Sequence, residues 1–537
     1  MTRSPARATP EIHSRSLATP GSLAHAALSE GTEIALPSAA ALDPLGLPPP
    51  RAARLGPEVF GTSGPETRSR LEAVLRGEGY FVSTGHQPVL LLGPFYVIYK
   101  TLTAISLAAH LERILERPVV PLFWIAADDH DWAEVGRTTL LDREDAARTL
   151  TLSVPEGSDR RSVGSHGLSP SMMSILDEIG EILPISEFTP GYMKLIRDAY
   201  SEQATVSQAF ARLLHAILGD RGYAWVDSAQ PALGRAAVPL YRRMLADWGA
   251  VLEAGDLGAR RVMESGFEAP IAEIDGALPL FFDDGGGRRR LRREGESFRA
   301  APSGPGGSMG TWRDRLETSP ARFSPNVASR PVLESWLLPV AATVLGPGEI
   351  AYWSQLPPLF EALEVPIPSV QPRTAWTLIE PRIRRILDRT GVSARELAEG
   401  AEPAVAWLTR EARPENLERA LRQLRERTES GLEEVEQVVG EQVPGLRAAV
   451  GKTRRGMLGA AAELSRQVDR ETRRRLDIRL GQVRRAADNL FPGKRPQERT
   501  LSPLPFLCRY GPELLDRLER ETDRRVASSL APPGTGG

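Results

Sequence analysis

Between residues 79 and 131 short apolar runs alternate with polar punctuation in a pattern that predicts strand, loop, helix and strand. GYFVSTG (79–85) is a β-rich run, and GPFYVIYKTLTAISLAAHLERILE (93–116) carries apolar residues at helical spacing after a Gly-Pro start. RPVVPLFWIAADDHD (117–131) is almost continuously apolar until it stops at four ionisable residues. A helix between two such strands makes a β-α-β unit with parallel strands. RGYAWVDSAQPALGRAAVPLYRRMLADW (221–248) repeats strand, polar loop, helix, and residues 329–380 return to the pattern, with Gly346-Pro347-Gly348 opening another helix. The expected architecture is α/β, with a core over residues 66–380.

Two stretches break the pattern and read as insertions in the core. Residues 141–220 are mostly helical in spacing. Residues 270–325 contain ALPLFFDDGGGRRRLRREG, an apolar strand, an Asp-Gly turn and a basic strand, which predicts a surface hairpin. From 381 to 495 the chain becomes Arg/Glu-rich helix. Leu417, Leu421, Leu424, Thr428, Leu432, Val435 and Val439 recur mostly at three and four, and Leu476, Leu480, Val483, Ala487 and Leu490 do so strictly. Pro444-Gly445 divides them into an antiparallel helical hairpin of coiled-coil character, whose apolar stripe a second copy of the chain would cover. Residues 1–65 read as an arm that is loosely ordered in part or drapes over the core, and 496–537 as a segment that packs back on the core and ends in a disordered tail.

Composition narrows the picture. A chain of 537 residues is too long for one compact core, and 41% hydrophobic with 25% charged residues is ordinary for a globular protein. A formal charge of −2 offers no bulk attraction to nucleic acid or anionic membrane. The Arg-rich stretch 470–485 reads as a solvated helix face rather than an RNA-binding surface. No stretch approaches the roughly 18 apolar residues of a membrane span, and residues 1–50 lack the apolar core of a signal peptide. With a single cysteine, Cys508, no intrachain disulfide and no Cys-rich zinc site can form. A cytoplasmic protein is expected.

In a parallel sheet, ligands sit beyond the carboxyl ends of the strands. Thr84-Gly85-His86-Gln87 follows the first strand and Asp128-Asp129-His130-Asp131 the next, so the two loops face one crevice if the strands are neighbours. Gly85 and Gly93 allow close backbone approach, the start of the 94–116 helix favours an anion, and Lys100 shares a helix face with Tyr96. The alternative is a turn with a snorkelling lysine. Three carboxylates and an imidazole at the end of an apolar strand are hard to justify by packing. They suit a metal or magnesium–nucleotide site, a general base, capture of an amino group, or helix capping before WAEVGR. On an extended chain Asp128 and His130 point one way and Asp129 and Asp131 the other, and the expectation is that one side binds and the other caps. Asn326, Arg330, Glu349, Tyr352 and Gln355 are further ligand candidates. His110, His166 and His215 read as structural or surface residues, and Cys508 as a buried thiol rather than a nucleophile.

Taken together, TGHQPVLLLGPFYVIYK, PVVPLFWIAADDHDWAEV, FSPNVASRPVLESWLLPV, GPGEIAYWSQLPPLFEAL, PSVQPRTAWTLIE and QERTLSPLPFLCRYGPELLDRL, spread over about 80–520, resemble the BshC family of bacillithiol biosynthesis. The resemblance implies a nucleotidyltransferase-like Rossmann core with connecting-peptide insertions and an α-helical antiparallel coiled coil through which two protomers dimerise. It implies a ligase that joins the cysteine carboxyl to the amine of glucosaminyl-malate. By analogy with adenylating folds, ATP or another nucleotide would bind at Thr84, Gly85, His86, Gln87, Gly93, Lys100, Gly346 and Gly348, with magnesium as a companion; nothing points to zinc. Asp128, Asp129 and His130 would be catalytic. Tyr96, Asp131, Asn326, Arg330, Glu349, Tyr352, Gln355 and Arg373 would bind substrate, Arg330 and Arg373 clamping the malate carboxylates. The rival enzyme reading keeps the fold and changes the small amino-acid or thiol substrate. A non-enzymatic reading makes the chain a coiled-coil scaffold with a degenerate core.

Overall fold

Six strands form the central sheet in the order Ser369–Pro372, Val340–Leu345, Tyr80–His86, Val119–Ile125, Ala224–Asp227, Phe60–Thr62. The first five are parallel, and Phe60–Thr62 pairs antiparallel at the edge. The computed structural model describes residues 9–43, 46–152, 161–168, 170–201, 203–271 and 276–530. Contacts divide the chain into a larger unit of Ile12–Arg143, Arg148–Thr377 and the stretch from Glu498 onward, and a smaller unit built mainly of Leu378–Gln497. The tail expected to be disordered falls, over 531–537, outside the described residues.

The whole of Val119–Ile125 is buried, which accounts for its unbroken apolar run. Leu71, Val74 and Leu75 of the helix Pro65–Leu75 cluster with Phe81, Val120, Leu122 and Trp124, whereas Ala104, Leu107, Ala108 and Leu111 of the helix Tyr96–Leu115 cluster with Val82 and Val119. Successive strand residues face opposite ways. The sheet is therefore sandwiched between helical layers. Val526 of the helix Glu513–Leu530 joins the second layer, and Ala24, Ala27, Leu36, Leu55 and Val59 from the N-terminal stretch join the first.

The helices Pro170–Ile182, Thr189–Ala199 and Val206–Leu218 lie between Val119–Ile125 and its parallel neighbour Ala224–Asp227. The expected surface hairpin is instead the middle of a five-stranded antiparallel sheet, in the order Gly306–Ser308, Ser297–Ala301, Arg288–Glu294, Ala277–Asp283, Phe323–Pro325. Its turn is the expected one: Asp283 Oδ1 accepts from the Gly285 and Gly287 amides. The hairpin cannot lie open because Leu280, Phe282, Leu291, Phe298 and Ala300 bury one face against Trp312, Leu316 and Phe323. Strands as short as SFRAA and GGS carry too little alternation to be read in advance.

In the smaller unit Glu415–Gln442 and Arg447–Arg475 form an antiparallel hairpin around Pro444–Leu446, with Arg413 paired to Asp469 and Arg454 to Glu433 and Glu436. The second apolar series does not belong to it. Leu480, Val483, Ala486, Ala487 and Leu490 lie on a separate helix, Asp477–Leu490, buried against Ile383, Leu387, Val405 and Leu408 of Pro381–Thr390 and Ala401–Glu411. Along the hairpin Leu417, Leu424, Val435, Val438, Met457 and Leu464 are exposed.

Candidate functional site

Tyr80–His86 and Val119–Ile125 pair residue for residue, His86 opposite Ile125, so both strands end at one level. The chain order reverses on the other side of Tyr80–His86, where Val340–Leu345 pairs with it; ligands sit at such a switch point. Beyond these ends lies a cavity of about 480 Å³, within the range of small-molecule sites. Of the residues singled out in the sequence, Gly85, His86, Gln87, Tyr96, Lys100, Asp128, Asp129, His130, Asn326, Arg330, Gly346, Gly348, Glu349, Tyr352 and Arg373 line it. Thr84, Gly93, Asp131 and Gln355 do not.

Each of these four has a local task. Thr84 is buried and donates to the Val344 carbonyl at 3.0 Å, tying two strands together. Gly93 has φ +58°, and a Cβ there would meet Val89; the Phe95 amide just beyond donates to Leu501 O at 2.9 Å, so this helix start faces protein. Asp131 Oδ1 caps the short helix Trp132–Val135 through the Glu134 amide. Gln355 holds the Ile271 backbone through both ends of its amide. The expected split of the acidic cluster fails because the strand stops at Ile125: the following turn brings Asp128, Asp129 and His130 to the cavity together and leaves only Asp131 to cap.

The first loop is held by an oriented ring. His86 Nδ1 lies 3.1 Å from the Gln87 carbonyl, which can only accept, so Nδ1 carries the proton and Nε2 accepts from the Tyr96 hydroxyl at 2.8 Å. Burial, with Lys100 nearby, pushes the imidazole down to about 4, so it is neutral near pH 7. The Gln87 amide donates to Asp129 Oδ2 and Glu134 Oε2, both at 3.0 Å. Gly85 is required by packing: a Cβ would lie 2.5 Å from the Trp124 carbonyl.

The carboxylates differ sharply. Burial alone would raise Asp129, but hydrogen bonds from His130 and Gln87 and the charge of Arg288 hold it well below the usual carboxylate range. Burial raises Glu134, helped by Asp131 and Asp129. Asp128 accepts from Ser228 Oγ and lies 3.4 Å from Arg288, which also donates to Ser324 Oγ and Pro325 O and stacks on Phe281. His130 is 40% exposed, with Nδ1 3.4 Å from Asp129 Oδ1. Among the described residues no three of His, Cys, Asp and Glu are placed to hold a metal ion.

The cations fall into two classes. Lys100, buried, donates to the Gly85 carbonyl at 2.8 Å and pairs with Glu349 at 2.5 Å; burial draws the ammonium below its ordinary range, and Glu349 opposes this. Glu349 also caps the Gly346 amide, and although burial alone would raise it, Lys100 keeps it low. Arg330 pairs with buried Glu334 and donates to the Tyr352 hydroxyl. Arg373 grips Glu498 with both terminal nitrogens and donates to Thr374 O. Asn326 Oδ1 accepts from the Ala328 and Ser329 amides at the start of Ser329–Leu337. The sequence reading missed Arg288, Arg290, Glu134, Phe281 and Arg499, all on the cavity wall. Arg288 and Arg290 stand two apart on one strand, so alternation places them on one face; that was the available signal. Arg290 and Arg499 are exposed and, among the described residues, have no hydrogen bond or ion pair.

Residues 58–374 match the N-terminal Rossmann-like domain of bacillithiol biosynthesis BshC, and residues 376–524 match its C-terminal coiled-coil domain. A protein of Salinibacter ruber is 32% identical over 458 residues, covering 84% of this chain and 82% of its own length. One of Symbiobacterium thermophilum is 32% identical over 460 residues (83% and 82%), and one of Bacillus cytotoxicus 29% over 474 (86% of each). All three carry the name "Putative cysteine ligase BshC".

Proposed function

The chain belongs to the bacillithiol biosynthesis BshC family, and from that premise we propose that its cavity joins the carboxyl of cysteine to the amine of glucosaminyl-malate. The observation that carries this reading is the half-exposed His130 beside an ionised Asp129 on a wall of the cavity. An amine sheds a proton as its nitrogen bonds to a carbonyl carbon, and a positioned base speeds that step. Asp129 is too weak a base for this task, and Asp128 is engaged by Ser228 and Arg288. His130 accepts the proton on its outer nitrogen, while Asp129, 3.4 Å from the inner one, orients the ring. Glu134 offers an acceptor for the cysteine ammonium.

A free carboxylate does not react with an amine in water, and a nucleotide cosubstrate would supply the activation by making a carboxylate oxygen a leaving group. The wall at Gly348, where a Cβ would meet nothing within 4 Å, leaves room for it. In the smaller unit, the exposed apolar stripe of the hairpin is the surface a second copy would cover. No described helix is long and apolar enough to cross a membrane, and the reading places the reaction in the cytoplasm, where cysteine and nucleotide are both at hand. Deleting the gene and profiling small thiols tests the function. Glucosaminyl-malate should accumulate and its cysteine conjugate vanish; unchanged conjugate contradicts the proposal.

A further inference from the structure

Six cationic side chains line the cavity: Lys100, Arg288, Arg290, Arg330, Arg373 and Arg499. Four are neutralised by carboxylates of the protein itself, namely Glu349, Asp128, Glu334 and Glu498. The arginines expected to clamp substrate, Arg330 and Arg373, are among these four. Only Arg290 and Arg499 reach the cavity without a partner among the described residues. From this contrast we propose that Arg290 and Arg499 hold the two malate carboxylates of the acceptor and so set its specificity, an inference that rests on the function proposed above.

Position supports a carboxylate ligand for Arg290. It stands opposite Phe281 in the sheet, its guanidinium 5.7 Å from that ring, and the His130 ring lies 6.3 Å from the same ring. A group held by Arg290 therefore lies near the base that takes the amine proton. In glucosaminyl-malate the malate hangs from the anomeric carbon, adjacent to the carbon that bears the amine, so an amine at His130 brings the malate within a few bonds. Arg499 acts electrostatically on Tyr96 and so stands by the His86–Tyr96 pair. Two separate guanidinium groups suit two separate carboxylates, each able to accept two N–H bonds. The cations already paired with protein carboxylates give the wall its shape and contribute little net positive charge.

The test is equilibrium binding of glucosaminyl-malate, and separately of ATP with magnesium, to the full chain and to R290Q, R499Q and R290K. Both arginines are exposed, so the variants should fold, and circular dichroism verifies this. Each Gln variant should weaken glucosaminyl-malate binding about tenfold or more, the cost of one charge-assisted pair, with ATP binding unchanged and partial recovery in R290K. Weakened ATP binding with unchanged acceptor binding overturns the proposal, as does no change in either. Binding is measured without cysteine, so the two readings separate: a wild-type chain that binds glucosaminyl-malate through these arginines but forms no conjugate refutes the ligase reading and leaves the clamp standing.

Discussion

The cavity wall and the helical hairpin are built from the same kind of pair, a basic side chain with a carboxylate, in opposite surroundings. Arg373 and Glu498 are each 2% exposed, whereas Arg474 and Glu471 on the hairpin are 79% and 47% exposed. In water an ion pair gains little over its hydrated partners, and in the interior each charge depends on the other. The buried pairs thus fix which cations remain available in the cavity. The hairpin pairs keep a long helix hydrated and leave its apolar stripe exposed.

Breaking a buried pair should give the largest effect. Glu498→Ala leaves the Arg373 guanidinium uncompensated and should cost about 3–5 kcal/mol in urea unfolding, whereas the double change R373M/E498M should recover most of it. Little loss in the single variant would place this pair with those of the hairpin. An intermediate effect is expected from His86, held neutral in the fold. Unfolded, it takes a proton near 6.5; folded, only near 4. Between those values the unfolded state binds more protons, so stability should fall as pH drops through this window. Melting temperatures from pH 7 to 4 should show a steeper decline for the wild type than for His86→Gln, and parallel curves would contradict the buried, neutral ring. Arg474→Ala should be the smallest, leaving the melting temperature of the hairpin unit unchanged.

The strand ends were legible because ionisable residues terminating a buried apolar run have few structural explanations. Thr84, Arg330 and Arg373 mark the limits of that logic. Thr84 sits at the right strand end but points into the neighbouring strand, a matter of side-chain direction that motif position does not encode. Arg330 and Arg373 line the cavity, but their engagement was hidden: Glu334 lies one turn away and Glu498 is 125 residues downstream. Arg290 belongs to the basic strand of the expected surface hairpin, and Arg499 was not singled out. Only the tertiary fold brings them to one cavity. The strictly periodic Leu476–Leu490 series shows that coiled-coil spacing and the buried face of an ordinary helix look alike when each spans only a few turns.

The central claim is that His130, oriented by Asp129, takes the amine proton as the cysteine conjugate forms. Its most direct test is to complement the deletion strain with the wild-type gene or with His130→Gln at matched levels of folded protein, and to measure the initial rate of conjugate formation. The wild type should restore the conjugate, and the variant should be slower by at least about 100-fold. Restoration at the wild-type rate by His130→Gln would contradict the account.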